Sequence, residues 1–181
     1  MKKITVRQVA FVGVLAALVF AASYLSIPIP TGIDKTRIHL GNSMCLLAGL
    51  LLGPVQGGLA AGIGSMFYDL ADPEYITSAP FTLVFKFTMA FLCGLIAKSS
   101  GRPPVWRAVL GGIVGAASYV ALYLGKSFAE HYWVFGYPLE AVFVTVGTKA
   151  ATSSINGILA VVVAVPLFYS LRPLLKKARL L

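Results

Sequence analysis

Lys149, Thr152, Ser153 and Asn156 recur at i, i+3, i+4 and i+7 in a stretch otherwise dominated by apolar and small residues. That spacing puts an ammonium, two hydroxyls and an amide on one face of a helix. Similar groups interrupt other apolar runs. His39, Asn42 and Ser43 fall together, Ser65 and Asp69 stand four apart beside Tyr68, and Lys86 sits inside "APFTLVFKFTMAFLCGLIA". Ser118, Tyr119 and Tyr123 mark a further run, and Glu140 precedes the stretch that carries Lys149. Such groups hold a small polar molecule: lysine donates, carboxylates accept, asparagine and histidine do both. Catalysis is not indicated. No GxSxG-type elbow accompanies Ser43 or Ser65, and His131 lies in an expected loop. Cys45 and Cys93 form no CxxC, there is no His/Cys cluster for a metal, and GxxxxGK[ST] is absent. No cofactor is expected, and any use of ATP requires another chain.

The elements that must position these groups are membrane helices. Of 181 residues, 58% are apolar and 12% charged, about half the charged share of an ordinary soluble domain. The apolar runs approach the ~17–25 residues that cross a bilayer, and helices satisfy their own backbone groups there. The alternating ten-residue segments of a β-barrel do not occur. The sequence therefore predicts an all-α integral membrane protein, one transmembrane domain over 1–181. Six spans are expected, about 6–27, 39–53, 54–72, 81–97, 107–127 and 139–171. The N-terminal stretch reads as the first span rather than a cleaved leader.

The net charge of +9 reads as topology rather than nucleic-acid binding. With the N-terminus inside, Lys2, Lys3, Arg7, Lys98, Arg102, Arg107, Arg172, Lys176, Lys177 and Arg179 fall on the cytoplasmic side, against Lys35, Arg37 and Lys126 outside. By the positive-inside rule both termini are cytoplasmic.

Depth gathers the polar groups. At ~1.5 Å per residue, Lys86 lies roughly 9 Å below Pro80 and Lys149 roughly 15 Å below Pro138. His39 and Asn42 open the second span, Asp69 closes the third and Glu140 opens the sixth, all from the outer side. The loops there hold Asp34, Lys35 and Arg37, then Tyr132, Trp133, Phe135 and Tyr137. Aromatic surfaces with a few placed polar groups suit a flat ring ligand. Plainer readings stay open. Lys86 and Lys149 snorkel to the interface or pair internally with Asp69 or Glu140. The aromatic loop is an ordinary interfacial belt, and Asn42 and Asn156 join helices.

Small residues form a second pattern: Gly13, Ala17 and Ala21 four apart on the first span, Gly58 and Gly62 on the third, Gly111 and Gly115 on the fifth. Such stripes let helices approach closely. The stripe on the first span is the one more open to an outside partner.

Taken in order, "VRQVAFVGVLAALVFAAS", "PIPTG", "RIHLGNSMCLLAGLLLGPVQGGLAAGIGSMFYDL" and "YITSAPFTLVFKFTMAFLCGLIA" resemble the substrate-binding S components of energy-coupling-factor (ECF) transporters. The subgroup resembled is the riboflavin-transporter-like one, with its hydroxymethylpyrimidine and pyridoxine carriers. The match is good over about residues 5–97 and looser beyond. The resemblance implies a multi-pass protein of a prokaryotic plasma membrane that captures a vitamin from outside. It implies docking on a transmembrane T-component scaffold that carries two cytoplasmic ATPases, and release inward after toppling in the membrane. Its first-helix stripe for the scaffold maps to Gly13, Ala17 and Ala21, with Gly13 departing from alanine. The expected substrate-binding residues are Arg37, His39, Asn42, Asp69, Lys86, Trp133, Tyr137, Glu140, Lys149 and Asn156. The expected cargo is a hydroxymethylpyrimidine or pyridoxine-like vitamin or precursor, with pantothenate or riboflavin as alternatives. A structural membrane subunit without a ligand is the reading of another class.

Overall fold

The computed structural model describes residues 5–98 and 103–178. Lys2, Lys3, Arg102 and Arg179, used above for orientation, lie outside the described residues. Six α-helices follow in order: α1 Val6–Tyr24, α2 Gly41–Leu52, α3 Pro54–Leu70, α4 Ala79–Ala97, α5 Val105–Ala129 and α6 Leu139–Lys177. Among the described residues, four helical segments are long and apolar enough to cross a membrane: Val6–Tyr24, Ile76–Ala97, Val105–Val134 and Leu139–Lys177. The helix α2 is apolar but short, about 18 Å at the usual rise, and α3 about 26 Å.

Local sequence explains several boundaries. Thr5 caps α1 in a capping box, its hydroxyl accepting from Gln8 N at 3.3 Å while Gln8 Oε1 accepts from Thr5 N at 3.0 Å. Gly53 adopts φ 79° between α2 and α3, and Pro54 opens α3 at a position that needs no amide donor. The first span stops at Tyr24 instead of reaching Ile27, because residues 26–39 fold as an antiparallel hairpin. Its strands are β1, Ser26–Pro30, and β2, Lys35–His39, paired from Ser26 with His39 to Pro30 with Lys35. The two prolines suit an edge strand. His39 therefore ends a strand and does not start a helix, and α2 begins at Gly41. At the end of α5 the chain continues into a five-residue π-helical turn, Glu130–Val134, where a loop was expected.

Hairpin and helix ends define two ends of the bundle. At the hairpin end α1 stops, α2 starts, α3 stops, α4 starts, α5 stops and α6 starts. At the far end Gly53, Ala97, Pro103 and Arg172 come together. Phe11 and Val12 near the start of α1 and Leu51 and Leu52 near the end of α2 pack against one buried cluster of Leu15, Ala48 and Ala60.

The far half is packed through small residues. A Cβ on Gly94 would lie 2.7 Å from Gly49 O and one on Gly57 2.5 Å from Ala48 O, and nearer the hairpin end one on Gly62 would lie 2.7 Å from Leu83 O. Cβ atoms on Gly111 and Gly115 would lie 2.7 and 2.5 Å from carbonyl oxygens of α4. The stripes on α3 and α5 are thus internal contacts, which fixes backbone separation at a value no side chain tolerates. Cys45, Leu46, Leu47, Met89, Cys93 and Phe168 fill the space between. The stripe on α1 is different: Gly13, Ala17 and Ala21 are exposed, and a Cβ on Gly13 meets nothing within 4 Å.

Candidate functional site

The hairpin roofs a cavity of about 720 Å³ walled by α3, α4, α5 and α6, within the ~300–1,000 Å³ of small-molecule sites. The helices hold the hairpin from two sides. On the α6 side, Asn156 treats β2 as a neighbouring strand would. Its Nδ2 donates to Arg37 O at 2.7 Å and its Oδ1 accepts from His39 N at 3.0 Å. An amide side chain presents the donor and acceptor of a peptide, so Asn156 satisfies part of an open strand edge.

The hairpin tip adds an ion pair. Thr31 closes the turn by accepting from Asp34 N at 3.0 Å and donating to Asp34 Oδ1 at 2.7 Å. This leaves Asp34 Oδ2 to accept from Lys149 Nζ at 2.5 Å. Lys149 also donates to Ser127 Oγ at 3.0 Å. His131 Nε2 stands 3.4 Å from the same Asp34 oxygen. Its Nδ1 lies 2.6 Å from Ser127 O. A carbonyl only accepts, so that nitrogen carries its proton.

On the α3 side, Arg37 donates to Asp72 and to the Tyr68 hydroxyl. Its guanidinium lies 4.3 Å from the Tyr75 ring centroid, a cation–π contact. Tyr75 donates to Lys35 O at 2.9 Å, and Lys35 pairs with Glu74 at 2.6 Å. Burial pushes the Asp72 carboxyl up, but the Arg37 guanidinium and the Glu74 N–H more than offset it and hold it below its ordinary value. Lys126 closes the gap between α4 and α5, paired with Glu130 at 2.5 Å and donating to Ser78 Oγ at 2.9 Å.

The floor is made of α2 to α5. Lys86 turns into the bundle, donates to Asn42 Oδ1 and sits 3.5 Å from the Tyr119 ring centroid. Tyr119 stacks on Tyr123 at 5.7 Å. Asp69, 7% exposed, faces the same chamber from α3.

Of the residues expected from sequence, Arg37, His39, Asp69, Lys86, Tyr137, Lys149 and Asn156 border the cavity. Asn42 stands behind Lys86. Trp133 and Glu140 do not border it: Trp133 is 73% exposed and packs its edge on Phe128, and Glu140 is exposed in the first turn of α6. The π-helical turn accounts for Trp133, since it aims His131 inward and Tyr132 and Trp133 outward. The acid that pairs with Lys149 is Asp34, in place of Asp69 or Glu140. The expected substrate-binding residues leave out Asp34, Tyr119 and Tyr123, which the sequence shows only as nearby polar groups, and Ser127 and His131, which line the cavity as well. Four of these form a continuous signal: Tyr119, Tyr123, Ser127 and His131 step by four residues along one face of α5 and its extension. Asp34 gave no such signal, because its partner is distant in sequence.

Comparison with known proteins places this architecture. A family model described as ECF-type riboflavin transporter, S component, matches residues 3–173. An uncharacterised protein in the gap 3′ region of Pyrococcus woesei is 35% identical over 109 residues, 59% of this chain and 70% of that protein. A UPF0397 protein of Lactiplantibacillus plantarum is 28% identical over 117 residues, 64% of this chain and 57% of that protein. The solved S component of a bacterial ECF transporter superposes with a TM-score of 0.65 at 19% identity, over 93% of this chain and 97% of that one. That last likeness gives the fold alone. With the family match running through all six helices, the chain belongs to the family of S components of ECF-type riboflavin transporters.

Proposed function

We propose that this chain is the substrate-capturing membrane subunit of a vitamin importer. It takes a small water-soluble vitamin or precursor, hydroxymethylpyrimidine or pyridoxine-like, from outside the cell. The observation that carries this is the hairpin-roofed chamber, in which buried lysines, a buried carboxylate and tyrosine rings face one space. Intramembrane charge is costly, about 2.5–3.5 kcal/mol per residue near the centre on insertion scales, and marks function. Riboflavin is the second reading, favoured by the description of the matching family.

The protein is one transmembrane unit with six crossings, both termini cytoplasmic and the hairpin end outside, in a prokaryotic plasma membrane. The short α2 and α3 are packed between longer neighbours, which supports counting them as crossings. The subunit contains no cofactor of its own and takes its energy from ATP hydrolysed by two cytoplasmic ATPases on a transmembrane scaffold. The exposed stripe Gly13, Ala17 and Ala21 is the surface for that scaffold. Of the ten side chains expected from sequence, Arg37, His39, Asp69, Lys86, Tyr137, Lys149 and Asn156 are the proposed walls of the ligand's chamber, with Trp133, Glu140 and Asn42 acting around it.

A thermal-shift screen of the detergent-purified protein against B-type vitamins tests the capture. A ligand at 100 times its Kd stabilises by about 2.7 kcal/mol. A melting point that no vitamin moves overturns the reading. The scaffold face is tested by Ala17→Leu, which should abolish uptake into cells while leaving the Kd for the vitamin unchanged.

A further inference from the structure

The charges around the chamber are matched with two exceptions, and the exceptions face the same space. Lys35 pairs with Glu74, Arg37 with Asp72, Lys126 with Glu130 and Lys149 with Asp34. Each pair ties two parts of the roof or rim together, or braces one helix end, and so is already committed to the fold. Lys86 and Asp69 remain. Neither is in an ion pair among the described residues, both are buried at 3% and 7% exposure, and both line the cavity. Lys86 keeps donor capacity beyond its bond to Asn42, because an ammonium has three protons. Asp69, facing the Thr82 hydroxyl, keeps acceptor capacity, because a carboxylate offers about four lone-pair sites.

We infer that Lys86 and Asp69 are the specificity-determining pair of this chamber, and that they select a ring ligand of zero net charge carrying both a donor and an acceptor. This deepens the vitamin-capture reading and rests on it. Lys86 donates to a ring nitrogen, carbonyl or hydroxyl oxygen of the ligand, and Asp69 accepts from its N–H or O–H. Tyr119 and Tyr123 supply the aromatic wall beside them. A ligand with a phosphate or a free carboxylate suits Lys86 but brings a second negative charge into a chamber that already holds the buried Asp69. Among the described residues that line the chamber, every other lysine and arginine is already matched. Releasing one of those cations gives up a pair that holds the roof or rim and leaves its half-exposed carboxylate to solvent, a cost the ligand itself must cover. The same reasoning rejects a ligand that is a fixed cation, with Lys86 as the repelling group. Selection against the wrong ligand thus comes from a like charge held in place, as specificity generally requires.

The test is titration calorimetry on the full-length detergent-purified protein. The probes are pyridoxine, hydroxymethylpyrimidine and riboflavin, the phosphate monoester of each, pantothenate and thiamine. Wild-type protein should bind one of the three uncharged compounds at least tenfold tighter than its phosphate, and tighter than pantothenate and thiamine. Asp69→Asn removes the negative charge and leaves Lys86 unbalanced. It should weaken the uncharged ligand at least tenfold and improve binding of its phosphate or of pantothenate at least tenfold. A gain of binding is not produced by a misfolded variant. Wild-type protein that prefers a phosphate, pantothenate or thiamine overturns the inference while leaving vitamin capture standing. So does an Asp69→Asn protein whose preference is unchanged. Absence of binding by every probe overturns the capture reading itself and this inference with it.

Discussion

The two halves of the bundle solve the same problem, bringing helices together in an apolar surround, by opposite means. In the far half, glycines let backbones touch, and Cys45, Leu46, Met89 and Cys93 fill what remains. In the hairpin half, helices are held apart by a chamber and joined across it by ion pairs and an asparagine. Apolar surface brings little net gain between helices in lipid, so close backbone contact is the means of holding the far half together. Polar pairs can join elements over a gap, which is what a binding chamber needs. The comparison teaches that rigidity and capacity occupy different ends of the same helices.

The largest expected effect breaks the packed half. Gly94→Leu forces a side chain against Gly49 O, Gly53 C and Pro54 N, all within 2.8 Å of its Cβ. Overpacking of this kind costs about 3 kcal/mol or more when backbone must move, read as a lower melting point in detergent. Gly13→Leu, at an open position on α1, should leave the melting point unchanged and so sharpens the contrast between buried and outward stripes.

Next comes the chamber floor. Lys86→Met should weaken the bound vitamin by about 10–100-fold, the value of a hydrogen bond from a charged group, as measured by calorimetry. An unchanged Kd would assign Lys86 a purely structural role.

A smaller effect is expected at the hairpin tip. Lys149→Met leaves Asp34 and His131 facing each other without the ammonium. Asp34 is 40% exposed at its side chain, so the loss should be about 1–2 kcal/mol, below that of a fully buried pair. Faster proteolytic cleavage within residues 31–34 would report loosening of the hairpin.

The smallest effect is one of pH on the α3 side. Arg37 holds the Asp72 carboxyl below its ordinary value against the upward push of burial. A depressed folded-state value means the stabilisation is complete above the ordinary carboxylate pKa of about 3.9 and is lost as pH falls through the lower folded value. Side chains 12% and 27% exposed put this at about 1 kcal/mol. Asp72→Asn should flatten the acid limb of the melting-point profile, while the packed half gives no pH dependence at all.

How much was legible varies with the range of the interaction. The six helices, their order and the polar faces were readable because hydrophobic run length and 3.6-residue spacing are local properties. The fine boundaries were less so. The stretch 26–39 showed prolines and alternation too brief to separate a hairpin from an extended loop, and the π-helical turn at 130–134 carries no composition of its own. The sequence brings Tyr132, Trp133, Phe135 and Tyr137 together in one segment, and only the geometry of that turn divides them, with Tyr137 at the cavity and Trp133 outward.

By itself the sequence determined a helical membrane protein whose charges gather at one level, since the bilayer penalises each misplaced charge residue by residue. Tertiary structure decided which of those charges answer each other. Asp34 meets Lys149 across 115 positions, Arg37 meets Asp72 across 35, and Asn156 meets β2 across 117 and 119. After that pairing Lys86 and Asp69 are the charges lining the chamber that are in no ion pair among the described residues. A pairing between distant segments has no periodicity to read, because it is set by how helices pack and not by what lies next in the chain.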